Sequence, residues 1–383
     1  MSIGIVFIVT GLHTGGAETM LLKLLRRLDR DEFSPVVISL TSGGEIQSLI
    51  EDLDIPVYSL GGGGFISASI MIFKIIGLLK RYNPDIVHTW MYHADFLGGL
   101  SARLFGCRRV IWGLRQSNLS KQHNKFSTLM IVSACARLSG WLPAAILSCS
   151  HQAESAHIRV GYDKSKIHVI PNGFELDRFR VDLGAAGRIR AELSLAQYVP
   201  LVGLVARYDS QKNHPGFIEA AALVHSAMPD VHFVLAGKGV NEDNYELMAV
   251  IESHGLSECT HLLGQRDDIP RLMASFTVLV SSSHGEAFPN VLGEAMACGI
   301  PCVVTDAGDS AEIVADTGRV VTVGDMPALA KELLAVLGLP LTERQELGAR
   351  ARARIASLYE IGRVTKQYQE FYRSVLSGFG DKR

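Results

Sequence analysis

Three observations predict an α/β fold with two domains. Short apolar runs alternate with longer helical stretches in the first half of the chain, and a second series of the same kind starts at residue 201. Such alternation is typical of parallel sheets that are covered by helices on both faces. The chain has 383 residues, which is more than a single hydrophobic core usually supports.

The first series contains strand and helix candidates in alternation. The strand candidates are residues 3–10, 36–40, 57–60, 86–89, 110–113, 145–149 and 167–170. The helix candidates are residues 18–28, 44–53, 66–82, 94–105 and 126–138, and the glycines at 61–64 are predicted to form one flexible loop. A turn at Pro171, Asn172 and Gly173 ends this series, and a mostly polar stretch follows to residue 197.

The second series has the same character. Its strand candidates are residues 201–206, 232–236, 261–264, 278–281, 302–305 and 320–322. The tail, residues 362–377, has apolar residues at a spacing that makes one helical face. These are Val364, Tyr368, Phe371, Tyr372 and Val375.

Composition narrows the function classes. The net charge is −2, from 37 basic and 39 acidic residues, so nucleic acid is not expected as the main partner. The six cysteines lack the paired spacing of metal ligands, which predicts buried thiols in a reducing cytoplasm. The apolar N-terminus lacks a basic leader and is predicted to be a strand, not a signal peptide. No stretch reads cleanly as a membrane span, while 48% hydrophobic residues leave room for a surface that docks on a bilayer.

Residues 278–308 carry two carboxylates in a strand–loop–helix–strand unit. Glu286 lies in the polar loop, and Glu294 lies about one turn into the helix candidate at 291–298. The loop ends on a helix N-terminus, whose unsatisfied backbone N–H groups favour a bound anion. A carboxylate beside that anion can accept hydrogen bonds from sugar hydroxyls. The unit therefore predicts a ligand that carries both phosphate and sugar.

Three residues at the start of that helix are predicted to line the anion site. They are Phe288, Pro289 and Asn290. The proline is suited to the beginning of a helix, and Gly299 with Pro301 predicts where the helix ends.

Together these residues resemble the pattern of retaining glycosyltransferases of family 4. The pattern is S-x-x-E-x-F-P-x-x-x-x-E-A-M-A-x-G-x-P-V. In this sequence it is met by Ser283, Glu286, Phe288, Pro289, Glu294, Ala295, Met296, Ala297, Gly299 and Pro301. Cys302 replaces the final valine, at a position that is expected only to pack.

The resemblance implies the GT-B fold and a reaction. The fold has two facing Rossmann-like domains with parallel sheets, a nucleotide-sugar cleft between them, and a C-terminal helix that crosses back to the first domain. The implied domains are residues 1–170 for the acceptor, 171–361 for the nucleotide sugar, and 362–383 for the returning helix. The implied reaction moves a sugar from a nucleoside diphosphate sugar, with UDP favoured, and retains the anomeric configuration. No enzymic nucleophile, cofactor or metal dependence is implied.

Two cations are candidates for the leaving diphosphate. Arg207 and Lys212 follow the strand candidate at 201–206, where an arginine fork and a lysine point charge suit a diphosphate. At the matching place in the family, an arginine and a lysine bind and neutralise that group. By the same resemblance, we expect Glu294 to bind the ribose hydroxyls and Glu286 to bind the donor sugar.

Further candidate contacts lie in the first half. Gly15 and Gly16 resemble the family's glycine loop that faces the donor phosphates. His93, at the opening of a helix, is a candidate substrate contact, whereas His88 is expected to be structural and Asp95 a helix-start carboxylate. Many members place a histidine after the strand candidate at 110–113, and this sequence does not. Arg115 is the candidate that supplies charge there instead.

The resemblance also suggests where the enzyme works. Many related transferases extend lipid-linked oligosaccharides for surface polysaccharides, so a glycan or lipid-linked acceptor is expected. A cytoplasmic protein, peripheral and weakly bound on the inner membrane face, would dock through residues 65–79 and the basic loop at 115–125. That loop contains Lys121, His123 and Lys125. The alternative interpretation is a solvated loop that contacts neither acceptor nor membrane.

Two other function classes stay open from the sequence. A nucleotide-sugar epimerase of the same fold binds the same donor without an acceptor. A non-catalytic subunit that binds a nucleotide sugar is favoured slightly by the missing histidine. Residues 264–268 resemble an edge of the family's nucleotide-base pocket.

Overall fold

A computed structural model describes residues 2–61, 68–120 and 124–378. It divides the chain into two compact units. Unit 1 contains Met1–Gly173 and Ile361–Arg383, and unit 2 contains Phe174–Glu360. The predicted α/β class with two Rossmann-like parallel sheets is confirmed.

Unit 1 is built on a seven-stranded parallel sheet with the order β3-β2-β1-β4-β5-β6-β7. The strands are β1 (Ile3–Val9), β2 (Phe33–Ser39), β3 (Val57–Ser59), β4 (Ile86–Trp90), β5 (Val110–Leu114), β6 (Ala145–Ser148) and β7 (Ile167–Val169). Its helices are α1 (Gly16–Arg27), α2 (Glu45–Glu51), α3 (Ala68–Tyr82), α4 (Tyr92–Phe105), α5 (Phe126–Leu138), α6 (His151–Arg159) and the last helix, α15 (Ile361–Ser377). All seven predicted strands are present, with shifted ends.

Side chains of β1 alternate between two apolar clusters. Phe7 packs into a core with α1, α2 and α15, whereas Ile8 packs into a core with α3, α4 and α5. Successive residues of a strand point to opposite faces of its sheet. The two helical layers therefore cover opposite faces of the unit 1 sheet.

The last helix belongs to unit 1. Tyr372 on α15 is buried and its hydroxyl lies 2.9 Å from Nδ1 of His88, which is itself fully buried on β4. Arg373 on the same helix donates to Glu32 through Nε at 2.7 Å. These contacts confirm the predicted return of the C-terminal helix and the structural role of His88.

Unit 2 is built on a six-stranded parallel sheet with the order β10-β9-β8-β11-β12-β13. The strands are β8 (Leu201–Val205), β9 (His232–Ala236), β10 (Thr260–Leu262), β11 (Val278–Ser281), β12 (Cys302–Thr305) and β13 (Arg319–Val321). The helices are α7 (Ala185–Glu192), α8 (His214–Ala227), α9 (Tyr245–Ser253), α10 (Ile269–Met273), α11 (Asn290–Ala297), α12 (Ser310–Val314), α13 (Met326–Leu337) and α14 (Leu341–Leu358).

Each sheet has one point at which the strand order reverses. In unit 1 it lies between β1 and β4, and in unit 2 it lies between β8 and β11. In open α/β sheets, ligands bind outside the carboxyl ends of the strands at such a point. The loops that follow these four strands are therefore the first places to look for a site.

Several sequence predictions fall on residues that the structure leaves undescribed. Residues 62–64 of the glycine loop, residues 65–67 of the docking segment, and Lys121 and His123 lie outside the described ranges. Across the ranges that are described, no helix combines the length and apolar character that a membrane crossing requires. The six cysteines are all buried free thiols, as predicted.

Candidate active site

Two candidate residues meet at the point where the strand order of unit 2 reverses. Lys212 follows β8 and Glu286 follows β11, and the ammonium of Lys212 donates directly to Oε1 of Glu286. Both side chains are largely buried, with exposed fractions of 21% and 11%. The strand order brings these loops together because β8 and β11 are parallel neighbours whose carboxyl ends share one edge.

Serine side chains hold this ion pair in place. Ser283 donates to Oε1 of Glu286 at 2.8 Å, and Ser282 donates to the backbone carbonyl of Lys212 at 2.9 Å. The backbone N–H of His284 donates to the carbonyl of Gln211 at 2.7 Å. The loop after β11 is thus bonded to the turn that carries Lys212, and this fixes the carboxylate against the ammonium.

The turn itself has a defined shape. Asp209 caps a short 3-10 helix, Ser210–Lys212, by accepting from the N–H of Gln211 at 2.9 Å. Asn213 has a left-handed backbone, with φ of 52°, and its side chain caps α8. Asparagine tolerates this conformation better than most residues. Lys212 therefore lies between two capping residues, Asp209 and Asn213. The backbone of this capped turn directs its side chain.

Arg207 is held more loosely than Lys212. Its Nε lies 3.3 Å from Oδ2 of Asp209, and 62% of its side chain is exposed. A guanidinium in that position is available to an anionic ligand, but it is not fixed by burial. The two predicted cations therefore lie in one loop and differ in how firmly each is positioned.

The start of α11 rests on aromatic rings. Phe288 is buried, stacks on Phe174 with ring centroids 6.1 Å apart, and meets Tyr359 edge-on at 5.7 Å. Its side chain therefore supports the helix start, so only its backbone is available to line an anion site. Pro289 is the N-cap and makes no side-chain capping bond. Asn290 begins the helix, and Glu294 lies half-buried one turn later.

Two glycines allow neighbouring loops to approach this edge. Gly308 has φ of +62°, and a Cβ there would collide with the backbone of Glu286 and Ala287. Gly237 has φ of +149°, and a Cβ there would collide with the carbonyl oxygen of Ala206. At both positions a side chain would push apart the loops that carry the candidate residues, and glycine avoids this.

The predicted edge of a base pocket, residues 264–268, contains an ion network. Arg266 donates to Oδ1 of Asp268 at 2.7 Å and to Oε1 of Glu192 at 2.5 Å, and Arg271 donates to both acids. The bond from Arg266 lowers the pKa of Asp268 to about 2. The charged groups of this segment are therefore engaged with one another and stabilise the loop between β10 and α10.

In unit 1, the glycine turn leads directly into α1. Gly15 is the N-cap and the helix begins at Gly16, two residues earlier than predicted. The side chain of Glu18 folds back toward Gly15, where a Cβ would collide with its carboxylate oxygen. Burial raises the pKa of Glu18. The amides of this turn therefore face a carboxylate from their own helix.

Arg115 does not lie in a solvated loop, contrary to the prediction. Its guanidinium lies 3.7 Å from the ring centroid of Trp90. It donates to the hydroxyl of Tyr368 at 2.5 Å and to Oδ1 of Asn172 at 3.3 Å. A guanidinium stacked on an aromatic face and bonded at two nitrogens is well fixed. Arg115 therefore ties β4 and β5 to α15, and its contact with substrate stays a prediction.

His93 and Asp95 both belong to the first turn of α4 and have different surroundings. His93 is half-buried, and burial lowers its pKa. Asp95 is fully buried and its Oδ1 accepts from Thr89 Oγ1 at 2.5 Å and from Gly113 N at 3.3 Å. Burial raises the pKa of Asp95 to about 8. The sequence suggested a helix-start carboxylate, but this residue also pins α4 to β4 and β5.

Within the part of the chain that the structure describes, no group of three or more His, Cys, Asp or Glu side chains is arranged to hold a metal ion. The chemistry available at the edge of unit 2 is that of one buried ammonium, one exposed guanidinium, two carboxylates and a helix N-terminus. Cations of this kind stabilise a diphosphate, and carboxylates accept from hydroxyl groups.

Two family models match the chain, one in each half. The model described as "Glycosyltransferase Family 4" matches residues 14–178. The model described as "Glycosyl transferases group 1" matches residues 199–338. Between them they span both candidate edges, including the Lys212–Glu286 pair.

Curated relatives and solved structures agree with these matches. A UDP-Gal:alpha-D-GlcNAc-diphosphoundecaprenol alpha-1,3-galactosyltransferase from Escherichia coli is 28% identical over 69% of each chain. The lipopolysaccharide core biosynthesis mannosyltransferase LpsB of Rhizobium meliloti is 23% identical over 76% of this chain and 84% of its own. A crystal structure of Anabaena Alr3699/HepE in complex with UDP and glucose has a TM-score of 0.85 at 24% identity, covering 97% of this chain and all of its own.

Proposed function

This chain belongs to glycosyltransferase family 4, and from that premise we propose that it moves a sugar from a UDP-sugar to a lipid-linked oligosaccharide, with retention of the anomeric configuration. Its class, a GT-B glycosyltransferase of polysaccharide or glycolipid biosynthesis, follows from the family models and the relatives. Donor, acceptor and stereochemistry are the proposed part.

The Lys212–Glu286 pair is the observation that carries the proposal. A nucleoside diphosphate is a good leaving group once positive charge meets its oxygens, so its departure requires cations more than an acid. In our proposal, the ammonium of Lys212 exchanges its bond to Glu286 for the diphosphate. Glu286 then accepts from hydroxyl groups of the donor sugar.

Other residues of the proposed site assist in the same way. Arg207 extends from an exposed loop position and is proposed to close on the diphosphate when the donor binds. The N-terminus of α11, at Pro289 and Asn290, offers backbone N–H groups to the phosphates. Glu294 is proposed to bind the ribose hydroxyls. The backbone at Gly15 and Gly16 is proposed to contact the donor phosphates.

UDP is favoured as the donor nucleotide by the names of similar proteins. The Escherichia coli relative is named for UDP-Gal, and Alr3699/HepE was crystallised with UDP and with UDP-glucose. The same relative is named for an acceptor on diphosphoundecaprenol, which supports a lipid-linked acceptor here. Such an acceptor also supports peripheral binding at the inner membrane face. Retention rests on the family pattern around Glu286 and Glu294.

A donor and acceptor panel tests the proposal. The protein is incubated with UDP- and GDP-sugars and an undecaprenyl diphosphate-linked sugar, and release of nucleotide and a lengthened lipid product are measured. We expect product with a UDP-sugar, and an anomeric proton coupling that matches the donor's configuration. An isomerised nucleotide sugar without an acceptor would indicate an epimerase instead. Donor binding without turnover in any acceptor mixture would indicate a non-catalytic subunit.

A further inference from the structure

One helical layer of unit 1 exposes large apolar side chains. Helices α3, α4 and α5 cover one face of the sheet, with α4 in contact with both neighbours. Phe73 on α3 is 73% exposed, Phe126 on α5 is 76% exposed, and Trp141, just after α5, is 60% exposed. Ile70, Leu104 and Met130 of the same layer are also exposed. We call these six residues and the three helices the α3–α5 face.

The exposed residues follow the helical period. Phe126 and Met130 are four residues apart on α5, and Ile70 and Phe73 are three apart on α3, so each pair lies on one side of its helix. The opposite side of α3 is buried in the core, where it contributes Met71, Ile75 and Leu79. The apolar residues of the α3–α5 face are therefore additional to those that the fold itself buries.

Positive charge dominates the same layer. Residues 68–82, 92–109 and 124–144, all of them described, carry eight basic residues and one acidic residue. The basic residues are Lys74, Lys80, Arg81, Arg103, Arg108, Arg109, Lys125 and Arg137. The acidic residue, Asp95, is fully buried. The whole chain has a net charge of −2, so this layer has a marked local excess of positive charge.

Two carboxylates border this layer, and the eight basic residues outnumber them. Asp85, in the turn after α3, accepts from the N–H of Gly4 at 2.9 Å. Asp163, beyond α5, accepts from the N–H of Ser165 at 3.0 Å. Arg103 lies over the ring of Trp141, 5.3 Å from its centroid. A cation that covers an exposed tryptophan is a combination suited to the interface between lipid headgroups and acyl chains.

From this surface we propose that the α3–α5 face docks on an anionic lipid bilayer. Phe73, Phe126 and Trp141 would enter the headgroup region, and the basic residues would meet lipid phosphates. A second copy of the chain would bring two basic surfaces together, and like charges oppose that contact. The inference rests on the proposed use of a lipid-linked acceptor. It leaves Arg115 out of the docking surface, because Arg115 is held inside unit 1.

Tryptophan fluorescence tests where the bilayer contacts the protein. Of the three tryptophans, Trp90 and Trp112 are buried at 2% and 0% exposure, so only Trp141 can change environment without unfolding. We expect a blue shift of emission when the full chain meets vesicles of phosphatidylcholine and phosphatidylglycerol. The shift should be absent with phosphatidylcholine alone and absent in Trp141→Phe. An unchanged emission while the protein floats with anionic vesicles would overturn the proposed orientation.

Flotation tests the binding itself. The double variant Phe73→Asp/Phe126→Asp should float at least about 25-fold less, since one charge near an anionic surface changes partitioning about fivefold and the variant adds two acids. The matched control, Leu183→Ser/Tyr245→Ser, removes exposed apolar residues of unit 2 and should float like the wild type. Equal flotation of wild type and Phe73→Asp/Phe126→Asp, or self-association through this face in sedimentation experiments, would refute the inference.

The proposed glycosyltransfer reaction can be tested separately from docking on a bilayer. Phe73 and Phe126 have no part in the proposed donor site, so the variant should still release UDP from a UDP-sugar with a water-soluble acceptor. If the wild type floats and shifts its emission but releases no nucleotide, the docking inference stands and the proposed reaction falls. If it turns over the donor and never binds vesicles at any salt concentration, the docking inference falls alone.

Discussion

At the β8–β11 edge of unit 2, a lysine and a glutamate hold one another and are bonded in turn by serines. At the β1–β4 edge of unit 1, the candidate contacts are the backbone of Gly15 and Gly16 and the ring of His93. Burial lowers the pKa of His93, which favours the neutral ring. Arg115, which follows the neighbouring strand β5, is engaged by Trp90 and α15.

The difference concerns how each unit can stabilise charge. In the proposed site, the fixed side-chain charges of unit 2 meet the diphosphate where negative charge develops, and this is the arrangement that lowers a transition-state barrier most. Unit 1 offers backbone groups and a neutral ring, which position a ligand but contribute less charge. If this comparison is right, substitutions in unit 2 should reduce turnover, and those in unit 1 should mainly change binding or stability.

The largest effect is expected from Lys212→Ala. It removes the ammonium that pairs with Glu286 and should lower kcat/KM about 100- to 1,000-fold, as the loss of one preorganised charge contact does. Steady-state transfer and thermal unfolding measured together separate lost chemistry from lost fold. The control Lys331→Ala removes an exposed lysine of α13 and should change neither.

The pairing of Lys212 with Glu286 can be tested in a double-mutant cycle. Glu286→Gln should reduce activity by itself, and the double variant should lose much less than the product of the two single losses, because the residues act as one unit. Simple multiplication of the losses would show that the two side chains act independently. Lys212 alone would then distinguish the charge of unit 2 from that of unit 1.

Arg207→Ala is expected to have a smaller effect than Lys212→Ala, of about ten- to a hundredfold. The physical reason is that an exposed guanidinium must first be ordered by the ligand, whereas the ammonium of Lys212 is already positioned. Because kcat/KM also reports ground-state binding, KM and kcat should be measured separately. If Arg207→Ala lowered kcat/KM as much as Lys212→Ala does, exposure in the unliganded protein would not predict which cation contributes more to catalysis.

The sequence predicted the parts of this architecture that depend on local pattern. Apolar, β-branched runs predicted the strands, and the framed pair Glu286 and Glu294 predicted the chemistry near β11. Helices α6, α7, α9, α10, α13 and α14 were not predicted. For α6 and α7 the reason is that few of their residues are buried and the apolar period is weak. In α7 only Ala185 and Ile189 are buried.

Contacts between residues that are far apart in the sequence could not be predicted from local sequence patterns. Ser282 donates to Lys212, seventy positions earlier in the chain, and no spacing rule encodes that bond. Arg115 looked like part of a solvated loop because its partner Tyr368 lies 253 positions away. The sequence could propose Lys212 and Glu286 as separate candidates, but only the strand order brings them together.

A test of unit 1 concerns its buried acid. The folded-state pKa of Asp95 is raised by burial to about 8, so the folded protein holds a proton that the unfolded chain releases near pH 4. The contribution of Asp95 to stability is therefore fully present below about pH 4 and is lost as the pH rises toward 8. Asp95→Asn should remove at least about 1 kcal/mol of this pH dependence.

Urea unfolding at several pH values measures that change. All three tryptophans lie in unit 1, so their fluorescence follows this unit alone. Other groups titrate in the same range, but they cancel when the variant is subtracted from the wild type. Identical pH profiles would show that Asp95 is ionised in the folded protein, and unit 1 would then contain a buried charge as unit 2 does.

The smallest effect is expected from Glu18→Gln. In the unliganded protein the Glu18 carboxylate lies over the start of its own helix, at Gly15. If the donor phosphates bind there as proposed, the carboxylate would compete with them for those amides. Removing its charge should lower the donor KM about two- to fivefold, the usual size of one charge at a helix N-terminus, and should leave kcat unchanged. Because burial raises the pKa of Glu18, the wild-type KM should rise with pH while that of Glu18→Gln stays flat. The control Glu343→Gln, an exposed acid in the first turn of α14, should leave KM unchanged. A higher KM for Glu18→Gln would mean that Glu18 itself binds the donor, and unit 1 would then share the charged chemistry assigned here to unit 2.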